Sequence, residues 1–149
     1  MNVLVSSQPV FLSLLGDGFL EAFGPERGHR LYPYLSLLDQ GIHVAGASDS
    51  PVAHALPLTG IRDAALRRTS SGAEIGPDEK LSVREAIGLY TSEAGYFSFD
   101  ETTVGKIEPG RYADIVVLDQ DITAIPPEQI ADAQVLMTIV DGRIVYLRP

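Results

Sequence analysis

Apolar positions in this chain fall in short runs separated by polar, Gly- and Pro-rich punctuation, a pattern of short strands and short helices. Val3 to Val5 is a continuous apolar run that Gln8-Pro9 terminates, which predicts a buried strand. The glycines between Gly16 and Gly28 predict a long loop with one helical turn around Phe19 to Phe23. Pro33 opens and Gly41 closes the periodic stretch Tyr34 to Gln40, the punctuation expected of a helix. Ile42 to Ala45 then reads as a second buried strand, and Gly46-Ala47-Ser48-Asp49-Ser50-Pro51 as the loop leaving its C-terminal end. Helical spacing returns over Leu58 to Arg68 and Val83 to Ala94, with a polar loop from Thr69 to Lys80 between them. Ser82 followed by Glu85 is a capping-box signature for the second of these helices.

Beyond Ser98 to Thr103 the pattern changes to extended runs: Val104 to Ile107, Ile115 to Leu118, Val135 to Val140 and Arg143 to Leu147. Pro109-Gly110 supplies a turn, and Asp141-Gly142 between apolar residues predicts a tight hairpin. Two parts are therefore expected, residues 1–98 and residues 99–149.

With 149 residues, 45% hydrophobic and 21% charged, the chain can bury a core. A formal net charge of −9 argues against a nucleic-acid or anionic-membrane surface, because phosphate binding needs clustered Lys and Arg. The absence of cysteine leaves His, Asp, Glu or a modified Lys as the only metal ligands. No segment approaches the ~20 apolar residues that a helical span requires, and the first residues lack the basic flank of a signal peptide. A cytoplasmic location is expected.

Asp49 is the leading candidate for chemistry. If the strand before it belongs to a parallel barrel, Asp49 lies just past its C-terminal end, where barrel enzymes gather catalytic groups. A carboxylate there can bind a metal and take a proton from water. The same residue is an ordinary choice for an Asx-type turn before Ser50-Pro51. Of the three histidines, His29 is expected to face solvent and His43 to be partly buried in a structural role. His54 either lines a substrate pocket or sits on a surface loop. The aromatic group Tyr90, Tyr96, Phe97 and Phe99 reads as interface core, and Arg67-Arg68 as charges complementing a helix C-terminus.

The order of Ser6-Ser7-Gln8-Pro9, Gly24-Pro25-Glu26-Arg27, Ser36-Leu37-Leu38-Asp39, Ser48-Asp49-Ser50-Pro51-Val52, Leu89-Tyr90-Thr91 and Gly105 through Asp119 resembles the C-terminal part of the amidohydrolase superfamily. The likeness covers essentially the whole chain and is nearest to the N-substituted formamide deformylase-like group. It implies an α/β fold: the last two βα units of a (β/α)₈ TIM barrel followed by part of a β-sandwich, a partial metallo-dependent hydrolase fold. It implies that Asp49 is a metal ligand and the general base, and it makes Gln8 a substrate-contact candidate beside His54. Relatives often carry histidine two positions after the Gln-Pro element, where this chain has Phe11.

The same resemblance implies hydrolysis of a C–N bond in a small-molecule substrate, with a divalent metal, zinc by expectation, in the complete enzyme. The His-x-His element and the other ligands of that family are not among these residues. The chain alone is therefore expected to bind no metal and to be catalytically silent. Open barrel strands lead to an expectation of self-association or of pairing with a missing N-terminal portion. The rival reading is a non-catalytic, self-associating scaffold.

Overall fold

A computed structural model describes residues 3–149. Strand β1 (Leu4–Ser7) and strand β2 (His43–Gly46) form a two-stranded parallel sheet, in register from Leu4 opposite His43 to Ser7 opposite Gly46. Between them run helices α1 (Phe11–Leu14), α2 (Gly16–Gly28) and α3 (Tyr34–Asp39). After β2 come α4 (Pro57–Leu66), α5 (Val83–Leu89) and α6 (Ser92–Phe97). Strands β3 (Ile115–Leu118), β4 (Val135–Val140) and β5 (Arg143–Leu147) build an antiparallel sheet in sequential order.

Local chemistry explains several boundaries. Pro57 starts α4 where a missing N–H costs nothing. The Ser82 hydroxyl accepts from the Glu85 amide while the Glu85 carboxylate accepts from the Ser82 amide, so the capping box closes in both directions. Asp141 and Gly142 both adopt positive φ, at 49° and 73°, as a two-residue hairpin turn requires.

Three expectations are corrected. Residues 16–28 form a helix with a kink at Gly24 (φ 74°), not a loop. The bounding glycines serve close packing there: a Cβ at Gly16 would lie 2.7 Å from the Thr69 side chain, and one at Gly28 2.8 Å from that of Leu20. The helical stretch 83–94 is two helices, broken at Thr91, whose φ and ψ are −128° and −92°. Residues 104–107 are not a strand; Arg111 holds this region as a loop, donating to the Val104 carbonyl at 3.0 Å and to that of Glu101.

The core joins β2, the helices and the segment before β4, with Leu12, Val44, Leu89, Ile75 and Ile130 all sealed from solvent. Burying each such side chain contributes about 1.5–3 kcal/mol. Among the described residues no helix is long and apolar enough to cross a membrane.

Candidate active site

Because β1 and β2 are parallel, both chains leave the sheet at the same end. Their pairing continues one step further: the Ala47 amide donates to the Ser7 carbonyl at 2.7 Å. Gln8 and Asp49 thus depart side by side on adjacent exit loops. The Gln8 loop turns at once into α1, since the Gln8 and Pro9 carbonyls accept from the amides of Phe11 and Leu12, both at 3.0 Å. Leu12 anchors that turn in the core.

Asp49 is exposed and adopts φ 56°, a left-handed conformation that Asp tolerates better than most residues. The turn around it is closed by other groups. The Asp49 backbone carbonyl accepts from the Val52 amide at 2.7 Å, and the Ser48 hydroxyl accepts from the Ser50 amide at 3.2 Å. Among the described residues, the Asp49 carboxylate makes neither hydrogen bond nor ion pair, so the turn does not consume it. His54 is exposed further along the same loop and borders a cavity of about 210 Å³ between the two exit loops.

Two interactions were not foreseen. His43 Nδ1 lies 2.7 Å from a Glu93 carboxylate oxygen, and its ring stacks on Tyr96 with centroids 3.6 Å apart. The structural role expected of His43 thus has an identified partner on α6. Arg67 is fully buried and does more than complement a helix end. Its guanidinium donates to the carbonyls of Leu31, Tyr32 and Ile75, each at 2.8 Å. Burial pulls its pKa down, opposed by Tyr34 and Glu79 nearby. The adjacent Arg-Arg pattern carried no signal that one member points inward. His29, although exposed, accepts the Gly76 amide on Nδ1 at 2.8 Å and pins the loop before α5.

Asp63, on α4, is nearly sealed from solvent. It accepts from the Ser13 hydroxyl at 2.5 Å and from Arg62 at 2.7 Å, tying α1 to α4 and thereby steadying the Gln8 loop. Burial raises its pKa, and the Ser13 and Arg62 contacts pull the other way.

A divalent ion needs several donors converging on one point. Among the described residues, no group of three or more His, Asp or Glu side chains is placed to hold one.

The Amidohydrolase family profile matches residues 1–146. The chain is 34% identical to the amidohydrolase YtcJ of Bacillus subtilis, over 98% of its own length and 28% of that protein's. It is 35% identical to the N-substituted formamide deformylase of Arthrobacter pascens, over 90% of its length and 26% of that protein's. Among solved structures, a metal-dependent hydrolase from Pyrococcus horikoshii superposes with a TM-score of 0.74 at 25% identity, covering 85% of this chain and 26% of the other. The corresponding hydrolase from Pyrococcus furiosus gives 0.65 at 27%, covering 82% and 24%. The chain spans little more than a quarter of the length of these two named relatives. It belongs to the amidohydrolase family.

Proposed function

We propose that this chain is the C-terminal part of a metal-dependent amidohydrolase that hydrolyses a C–N bond of a small amide- or formamide-type substrate. The observation that carries the reading is the Asp49 carboxylate, left unspent by its own turn at the end of β2 where the Gln8 loop also emerges. In this reading residues 1–98 hold the last two βα units of a (β/α)₈ barrel, and residues 99–149 part of a β-sandwich. The parallel β1–β2 pair suits the first assignment, and the antiparallel β3–β5 sheet the second.

Asp49 takes a proton from the attacking water and delivers it to the departing nitrogen, the work of a general base that then serves as acid. Gln8 and His54 contact the substrate from the two exit loops. Asp49 is also the one carboxylate this chain offers to a divalent ion, zinc by preference, whose remaining donors lie elsewhere in the complete enzyme. Alone, the chain is inactive, and the cytoplasm is its proposed compartment.

The test is Asp49→Asn in the complete enzyme, which keeps the shape and removes the basicity. The expected fall in kcat is about 10²–10⁴-fold, typical of a lost general base. Hydrolysis at close to the wild-type rate would overturn the assignment.

A second reading, a non-catalytic self-associating scaffold, draws on the apolar side chains exposed on β3 and β5, among them Val116, Ile144 and Val145. Under the enzyme reading the same sheet pairs with the remainder of the polypeptide.

A further inference from the structure

Helix α1 begins three residues after Gln8 and is a single turn of four residues. A helix so short has no stability of its own, because nucleation is unfavourable and few bonds follow it, and no side chain caps its N-terminus. Contacts from outside must therefore set its place. Leu12, fully buried, fixes its depth. One apolar contact still leaves the turn free to rotate about that point.

Ser13, which carries the one polar side chain of α1, removes that freedom. Neighbouring residues on a helix point roughly 100° apart, so Ser13 engages a different surface from Leu12. Its hydroxyl donates to Asp63 Oδ2 on α4 at 2.5 Å and also lies 3.2 Å from the Val10 carbonyl. Asp63 is 2% exposed, and its other oxygen accepts from Arg62 Nε at 2.7 Å. The two carboxylate oxygens are thus divided between an arginine, which supplies the opposite charge, and a serine on α1. A hydrogen bond to an ionised acceptor is stronger than one between neutral groups. Its base is firm, because Gly60, Ile61, Ala64 and Ala65 bury the inner face of α4.

This turn carries Gln8 with it. The Gln8 carbonyl accepts from the Phe11 amide, and the Pro9 carbonyl from that of Leu12, so a tilt of α1 is passed straight to the Gln8 backbone. The path from Asp63 through Ser13 and α1 to Gln8 is a continuous chain of hydrogen bonds and covalent links.

We propose that Asp63 and Ser13 are positioning residues for substrate binding: Asp63, oriented by Arg62, holds Ser13, and through α1 holds Gln8 in the pose that meets the substrate. Neither touches substrate itself. The proposal rests on the C–N hydrolase reading and on the substrate contact assigned there to Gln8.

The experiment measures kcat and KM of the complete enzyme for N-butylformamide in a double-mutant cycle of Ser13→Ala and Gln8→Ala. Alanine suits a helical position, so Ser13→Ala keeps α1 and removes only the tie. It should lower kcat/KM about tenfold, mainly through KM, because a contact of the bound ground state is what loosens. With Gln8→Ala already in place that contact is gone, and the further loss should stay under about twofold. A tie that served folding alone would cost the same factor in both backgrounds. That result would overturn the proposal and leave the hydrolase reading standing, as would a loss below about twofold from Ser13→Ala or from Gln8→Ala alone. If Ser13→Ala does not fold, Asp63→Ala breaks the same tie from α4 and is read by the same cycle. A wild-type enzyme that cleaves no amide or formamide would overturn the hydrolase reading as well.

Discussion

The two sheets of this molecule are finished to different degrees. Around β1–β2 the interior is closed: Val44, Leu12 and Leu89 are sealed, and every fully buried side-chain polar atom among the described residues has a partner. The antiparallel sheet presents apolar side chains outward, with Ile144 59%, Val145 61% and Leu147 60% exposed. Because successive strand residues point to opposite faces and all five residues of β5 are exposed, both faces of this edge strand are apolar and open. The contrast teaches that the helical part carries its own specificity, through groups such as Arg67, while the sheet leaves much of its apolar surface facing outward.

The strongest way to break that contrast is to open the closed side. Arg67→Met keeps apolar bulk but takes the guanidinium from one buried and two partly buried carbonyl acceptors, of which that of Tyr32 still accepts from the Tyr34 amide. Each such loss costs about 1–3 kcal/mol, and partial relaxation makes about 3–5 kcal/mol the expected total. Urea titration followed by circular dichroism measures it. A loss below about 1 kcal/mol would show that the clamp is dispensable. A smaller effect on the same side comes from Ser82→Ala, which removes the hydroxyl of the capping box and should cost about 1 kcal/mol.

What could be read from the sequence follows the range of the interactions. The capping box at Ser82 and Glu85 and the Asp141-Gly142 hairpin were legible because every group involved lies within a few residues. The strand pair was legible from its apolar runs, as was the placement of Asp49 on the loop that leaves the second strand. The helix over residues 16–28 was not, because glycine serves equally to break a helix and to let Thr69 or Leu20 approach it, and sequence does not separate the two uses. Nor was His43 with Glu93, whose partners are 50 residues apart, or the inward turn of Arg67 toward carbonyls 35 and 36 residues away. Residues 104–107 had strand composition, yet Arg111 fixes their backbone in a loop.

On the open side, Val145→Lys should change the stability of the chain by less than about 0.5 kcal/mol, since an exposed position away from caps and cores tolerates substitution. Its effect should appear in association: an added charge on the sheet should reduce self-association of the chain, measured by sedimentation velocity. Unchanged association would place the contact surface elsewhere, and a stability loss above about 1 kcal/mol would mean that the sheet is packed from within.

The finest probe of the contrast is pH. The Thr69 hydroxyl nearby, together with the hydrogen bonds that Asp17 accepts from the Ser71 and Ser70 hydroxyls and the Ser71 amide, holds the Asp17 pKa below the usual carboxylate value. A lowered folded-state pKa gives stability that is present above the unfolded value, near pH 4, and is lost as pH falls below it. Asp63 has the opposite sign, because burial raises its pKa; its contribution is complete below about pH 4 and is lost as pH rises through the higher folded value. Asp17→Asn should therefore flatten the loss of stability between about pH 5 and pH 2, and Asp63→Asn should steepen it. Denaturant midpoints across that range measure both slopes. Parallel curves for wild type and Asp17→Asn would show that the Thr69–Ser71 hydroxyls merely solvate Asp17 as water does and do not help fasten α2 to the loop beyond α4.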